Sequence, residues 1–144
     1  VAFLSGCFDH FLDDRQRESA LRNIHRHLIP EGLLVFDVFL GLMEESGLHP
    51  AGSAVDGSIE YRRYVATGRA SPETMTVTLV FEKYDNGTLV DRIEEESRVG
   101  VVDRDRIHRL LSEAGYETRR EFGDYDFREY RKGDDLLIVE APKK

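Results

Sequence analysis

Two continuous apolar runs separated by one amphipathic segment constrain this chain more than any other feature of its sequence. Val1-Ala2-Phe3-Leu4-Ser5 and residues 33–40 are apolar without alternation, the second broken only by Asp37. Such runs read as strands buried on both faces. Between them, Asp13-x-x-Gln16 has the form of a capping box, in which the acid accepts from open backbone N–H groups and the glutamine reaches back. Ala20, Leu21, Ile24 and Leu28 follow at helical spacing. His25 and His27 stand at the negative end of the helix dipole, and Pro30-Glu31-Gly32 stops the helix. Strand, helix, strand makes a βαβ unit, so the two strands should be parallel and joined by a right-handed crossover.

The period then changes. Residues 41–57 are glycine-rich, and their spacing predicts a short helix around 42–46 followed by loop. From Ser58 the period is two: Ile59, Tyr61, Arg63 and Val65 share one face, and Met75, Val77, Leu79 and Phe81 alternate with threonines and Val80. Asp85-Asn86-Gly87 is a hairpin signal, because a type I′ turn needs positive φ at both central residues. Residues 58–100 therefore read as an antiparallel meander inserted in an α/β chain. Asp103 caps a second helix carrying Ile107, Leu110, Leu111 and Ala114, with Gly115 just past its end. Residues 117–122 and 136–141 are the last two strands. The connection between them is too short for a parallel crossover and points to an antiparallel pair.

The 20 basic and 28 acidic residues give a net charge of −8, which disfavours a phosphate-binding surface. The pairs Arg62–Arg63 and Arg119–Arg120 each sit beside acids, so nucleic acid is not the expected partner. No apolar run approaches the roughly 18–20 residues that span a bilayer, so no membrane partner is expected either. Cys7 is the only cysteine, which rules out an internal disulfide and suits the cytoplasm. The sequence opens inside an apolar run, and the expectation is that an N-terminal portion precedes it.

The order of these elements resembles the C-terminal half of the class I S-adenosylmethionine-dependent methyltransferase fold, a Rossmann-like sheet with a reversed last strand. Particular segments strengthen the resemblance. Residues 20–37, ALRNIHRHLIPEGLLVFD, resemble the family's helix and fifth strand, with Glu31 where a glycine is usual. Leu110-Leu111-Ser112-Glu113-Ala114-Gly115-Tyr116 resembles its "L-L-x-x-A-G-F" helix end. Phe122-Gly123-Asp124-Tyr125-Asp126 and residues 136–141 are similar to its closing segment. The subgroup it most resembles contains glycine, sarcosine and aminosugar N-methyltransferases. The resemblance implies a partial methyltransferase domain over 1–144, with the meander at 58–100 as substrate lid. The family's glycine-rich loop and ribose-binding acid would lie upstream of Val1, so tight S-adenosylmethionine binding would need that part.

In open α/β sheets, ligands bind beyond the carboxyl ends of the strands, which points to residues 5–11 and 37–41. Ser5-Gly6-Cys7-Phe8-Asp9-His10-Phe11 resembles the family's "G-N-S-F-x-H" segment beside the sulfonium. That resemblance assigns Ser5, Gly6 and Phe8 to the cofactor, Cys7 to the substrate side, and His10 to a catalytic role as the base a hydroxyl acceptor would need. Asp37 interrupts a buried strand at its carboxyl end, where a lone carboxylate is costly. It is therefore expected to be paired or to open into the cleft, with Phe39 beside it. Tyr61, Arg63, Tyr64, Tyr125 and Tyr130 fall where the resemblance places the family's substrate lid, and an aromatic and acidic lining with Asp124 and Asp126 would favour a cationic amine. His25-x-His27 lacks the three- or four-residue spacing of a helical metal site, and no metal is expected.

The function this implies is methyl transfer to a small molecule at an amine. Two readings compete. One is a non-catalytic module of the same fold that forms a homodimer through the exposed edges of the meander. The other is a nucleotide-dependent oxidoreductase, which the reversed last strand and the meander after Asp37 disfavour.

Overall fold

The computed structural model describes residues 1–4, 6–40 and 44–144. The chain divides into two compact units: 1–43 with 100–144, and 44–99.

In the first unit, β1 (Ala2–Leu4) and β2 (Leu33–Phe39) pair in parallel, with Ala2 opposite Leu34 and Leu4 opposite Phe36. The connection between them is α1 (Asp14–His27). Asp13 caps it, its Oδ1 accepting from Gln16 N at 2.8 Å, while Gln16 Oε1 accepts from Leu12 N at 2.7 Å. The glutamine thus reaches one residue further back than a capping box requires. Leu21 is fully buried, and Ile24 and Leu28 pack on the core. The buried stripe continues one turn earlier than its apolar residues do, with Arg17 wholly buried. His25 stands edge-on to Tyr116, the ring centroids 5.3 Å apart, and His27 is exposed. The stop works sterically. Glu31 adopts φ 57, and a Cβ on Gly32 would lie 2.7 Å from Ile29 O.

α2 (Arg104–Glu113) is capped by Asp103, which accepts from Arg106 N at 2.7 Å. Tyr116 N donates to Leu111 O and Gly115 N to Ser112 O, with Gly115 at φ 88. This is a Schellman ending, which only a residue comfortable at positive φ closes without strain. The remaining strands are β7 (Arg120–Phe122) and β8 (Leu136–Pro142). The sheet order is β1-β2-β8-β7, and β8 runs antiparallel to both neighbours. The reversed last strand therefore lies inside the sheet. Leu34, Phe36 and Val38 of β2 meet Leu137, Val139 and Ala141 of β8 in one core with Ile107, Leu110 and Leu111 of α2.

The second unit is one four-stranded sheet in the order β3-β4-β5-β6. Its strands are β3 (Ser46–Asp56), β4 (Ile59–Ser71), β5 (Thr74–Asp85) and β6 (Thr88–Gly100), the last residue of β6 falling in the first unit. β4 pairs antiparallel with β3 and with β5. Asn86 and Gly87 have φ 47 and 79, the type I′ turn expected of Asn-Gly. β3 corrects the sequence reading. Residues expected as loop form a strand, and Ser46, placed in a short helix, begins it; the remainder of that helix includes 42 and 43, outside the described residues. The reason is visible in the pairing: the register shifts between Ser46 and His49 and again between Pro50 and Gly52. Bulges at glycine and proline erase the alternation that marks a strand.

Candidate functional site

The carboxyl ends of β1 and β2 are joined by two buried carboxylates. Asp37, with no exposed surface, accepts from Gly6 N at 2.6 Å through Oδ1 and from the Tyr125 hydroxyl at 2.7 Å through Oδ2. Asp9, only 4 % exposed, accepts from Phe39 N at 3.3 Å through Oδ2, and its Oδ1 is buried without a hydrogen-bond partner. Each acid therefore bridges the turn after β1 to β2, and Asp37 extends the link to the loop between β7 and β8. The apolar strand supplies the low-dielectric side of this cluster, and backbone N–H groups supply its hydrogen bonds.

Burial pushes the Asp9 carboxyl up to about 6. The Phe39 N–H opposes that rise, neighbouring Asp37 adds to it, and His10 and Arg17 draw it down more weakly. Asp9 thus gains a proton under mildly acidic conditions.

Local sequence explains the turn. Gly6 takes φ 61, a left-handed conformation that L side chains avoid, and a Cβ built on it would meet nothing within 4 Å. The loop then makes a single 3-10 turn, Phe8–His10. Phe8 is buried, with its ring 4.6 Å from Phe36 and 5.7 Å from Phe11. It anchors the loop in the core, which is how its flanking position exposes Cys7 and His10 and buries Asp9.

The structure gathers some of the expected residues and separates others. Gly6, Asp37 and Tyr125 make one hydrogen-bonded cluster, with exposed Phe39 at the end of β2. His10 opens onto a groove along the solvent face of α1, lined by Phe11, Arg15, Ser19 and Arg22 among others. Ser5 lies outside the described residues. Tyr61 and Arg63 line a hollow on one face of the meander sheet, whereas Tyr64, one residue on, belongs to the other face. Asp9 was not singled out by the sequence. Its signal is an acid set between two core aromatics, Phe8 and Phe11, in a turn too tight to expose both flanks and the middle.

A second polar cluster holds the two helices together. Asp14 accepts from Arg106 Nε at 2.8 and 2.7 Å and from buried Arg17 Nη1 at 3.1 Å. Arg17 Nε and Nη2 are buried without hydrogen-bond partners. Glu121 of β7 is bidentate to Arg104 and lies 2.6 Å from His108 Nε2. These are ion pairs between elements, and Arg104 and Glu121 also line a hollow with Phe127 and Tyr130.

No family description and no curated protein matches this sequence, but solved structures do. An S-adenosylmethionine-dependent methyltransferase from Clostridium acetobutylicum superposes with a TM-score of 0.77 at 14% identity, over 98% of this chain and 57% of that one. The methyltransferase CcbJ from Streptomyces caelestis gives 0.74 at 13%, over 99% and 59%. CalS10, an amino pentose methyltransferase from Micromonospora echinaspora, gives 0.74 at 13%, over 99% and 58%. At these identities the likeness is one of fold. It is a likeness to the C-terminal part of methyltransferase chains, and this chain spans less than three fifths of the length of each.

Proposed function

We propose that this chain is the C-terminal part of an S-adenosylmethionine-dependent methyltransferase that acts on a small molecule at an amine. The observation that carries the reading is Asp37. It is a fully buried carboxylate at the carboxyl end of a parallel strand, held by Gly6 N and the Tyr125 hydroxyl. That end of the sheet is where open α/β folds take their ligands. The solved structures of like fold include an amino pentose methyltransferase and a sugar N-methyltransferase, KedS8, which supports an amine acceptor.

The turn at Gly6 suits a ligand that approaches backbone closely, since the space a Cβ would enter is open. By resemblance, Ser5 and Gly6 border the cofactor here, and the groups that grip its methionine and ribose belong to the upstream part. S-adenosylmethionine, when bound, supplies an electrophilic methyl group.

The chain's own residues then have three tasks. Asp37 fixes the Gly6 turn and Tyr125 in one geometry, and positioning supplies much of the rate when the donor is already activated. The acidic groups Asp9 and Asp37 at the strand ends favour an amine that arrives as a cation and gives its proton to solvent before its lone pair attacks. A neutral amine needs no base to attack; a hydroxyl acceptor would need His10 to take its proton. Tyr61, Arg63 and Tyr64 remain lid residues in this reading.

The test is calorimetric binding of S-adenosylhomocysteine to this chain and to a version extended upstream by about 100 residues, a typical half-domain allowance. Binding by the extended form alone is the expected result. Binding by neither removes the reading, and tight binding by this chain alone removes the claim that the cofactor's grip lies upstream.

A further inference from the structure

The chain enters β7 with an extra residue. Between Tyr116 and Arg120 it has one more residue than between their partners Glu140 and Lys143. Arg119 N donates to Glu140 O at 2.8 Å, and Arg120 is paired with Glu140 as well. Two residues opposite one make a β-bulge, a device that re-aims side chains at sheet edges. Its effect here is that Arg119 and Arg120, consecutive in sequence, line one hollow instead of pointing to opposite faces. The hollow has a volume of about 510 Å³, within the range of small-molecule sites. Residues 128–130 lie along the outer edge of β7, Tyr130 N donating to Glu121 O at 3.1 Å and Gly123 N to Arg128 O at 2.9 Å. Among the described residues no bridge carries that cover on to Arg120, and both arginines are exposed.

The charges around this hollow do not cancel. Arg104 is bidentate to Glu121 and stands 5.4 Å over the Tyr130 ring, and Glu121 is also bonded to His108. Glu121, the acid next in sequence to the arginine pair, is therefore spent before it can neutralise them. Arg119 and Arg120 make no ion pair among the described residues. Glu129 is the one lining acid left to set against them. The sum favours an anion, and adjacent free guanidinium groups suit the oxygens of a phosphate, which arginine grips bidentately. At neutral pH a phosphate monoester carries close to two charges, one for each free guanidinium. Phe127 supplies an apolar wall. It is 73 % exposed, with its ring edge-on to Phe122 at 5.6 Å between centroids. Its φ of 65 lies in the left-handed region that bulky side chains avoid. Backbone strain of this kind clusters where ligands are held.

We propose that this hollow binds a small phosphate monoester, its phosphate held by Arg119 and Arg120 and its planar ring packed on Phe127. A polyanion is disfavoured by the net charge of −8. The site lies at the opposite end of the sheet order from β1, and β8 separates β7 from β2. It does not depend on the methyltransferase reading, since it uses none of the residues at the ends of β1 and β2.

Titration of the isotope-labelled chain with phenyl phosphate, followed by amide chemical shifts, tests the proposal, with inorganic phosphate and phenol as the two partial probes. The expected result is saturable shifts at residues 119–122 and 127–130, with phenyl phosphate at least about tenfold tighter than either partial probe. Joint replacement Arg119→Gln and Arg120→Gln should weaken phenyl phosphate at least about tenfold. Phe127→Gly, which relieves the positive φ, should bring phenyl phosphate down to the affinity of inorganic phosphate and leave the latter unchanged. All three substitutions fall on exposed residues. The amide spectrum identifies a variant that fails to fold, and the other variant then decides. No saturable shift at these residues below about 10 mM overturns the proposal. So do inorganic phosphate or phenol binding as tightly as phenyl phosphate, or a folded double variant that binds as the parent does.

Discussion

Replacing Asp37 by alanine withdraws one acceptor from two donors at once. Gly6 N–H is 2.6 Å away and the Tyr125 hydroxyl 2.7 Å, and a hydrogen bond to a charged group contributes about 1.5–3 kcal/mol. The Gly6 bond counts in full because its acceptor is wholly buried. The Tyr125 bond counts at the bottom of the range, because Tyr125 is half exposed and water can replace its partner. Against these losses stands the relief of burying a carboxylate beside Asp9. The balance is a destabilisation of about 2–4 kcal/mol for Asp37→Ala. Asp37→Asn keeps one acceptor oxygen but turns an amide donor toward the other partner, so it should cost about 1–2.5 kcal/mol.

The sequence has no tryptophan, so urea unfolding is best followed by far-ultraviolet circular dichroism. For a domain of this size each kcal/mol should lower Tm by about 3–4 °C. Tyr125→Phe completes a double-mutant cycle, with an expected coupling to Asp37 of about 1 kcal/mol. An Asp37→Ala variant within about 0.5 kcal/mol of the parent, the scatter of ordinary surface changes, would refute the reasoning. So would strict additivity with Tyr125→Phe.

Asp9 titrates about two units above its ordinary 3.8 when folded, so the native state holds a proton the unfolded chain has lost between pH 4 and 6. This penalty is absent below the unfolded value and complete above about 6, where it amounts to about 3 kcal/mol at 1.36 kcal/mol per unit. Asp9→Asn should therefore be more stable than the parent at pH 7.5 and lose that advantage at pH 4, as measured by urea midpoints at both. Glu121 behaves in the opposite sense. Burial would raise its carboxyl, but Arg104 and His108 outweigh burial and hold it below 4.5, so its contribution is complete above that value and lost as pH falls through the folded one. Glu121→Gln should cost about 1 kcal/mol at pH 7, reduced by the partial exposure of Arg104, and progressively less as the pH falls below 4.5. A Cβ on Gly100 would lie 2.2 Å from Arg17 Nη2 and 2.3 Å from Phe11 O. Gly100→Ala should therefore lower stability by about 3 kcal/mol or prevent folding, read from the same unfolding curves.

What the sequence made legible follows from which patterns survive locally. β1, α1 and β2 were readable because their apolar periods run unbroken save for Asp37, and α2 because Asp103 and Gly115 bracket it. β3 was not, since Gly47, Pro50 and Gly52 fall at its irregular register. Arg17 was hidden because a helical stripe is recognised by apolar residues, and only the fold shows that Asp14 brings a guanidinium into the core. Asp37 announced itself by interrupting a buried strand, but its partner Tyr125 lies 88 residues away, a distance no local pattern spans. The same holds for the pairing of Tyr61 with Lys83 and Arg63 with Phe81. The alternation was evident, but which residues stand opposite each other follows only from the register.

The place of β8 has a consequence for how such a chain is made. Of the described strands it is synthesised last, yet it lies between β2 and β7 and pairs with both. Until it emerges from the ribosome, β2 lacks its neighbour on that side and β7 has no partner in the sheet. The core built on Leu34, Phe36 and Val38 stays incomplete until Leu137, Val139 and Ala141 arrive, a window in which chaperone binding and aggregation compete with folding. The closing contacts join residues about a hundred positions apart, so the sheet should assemble slowly.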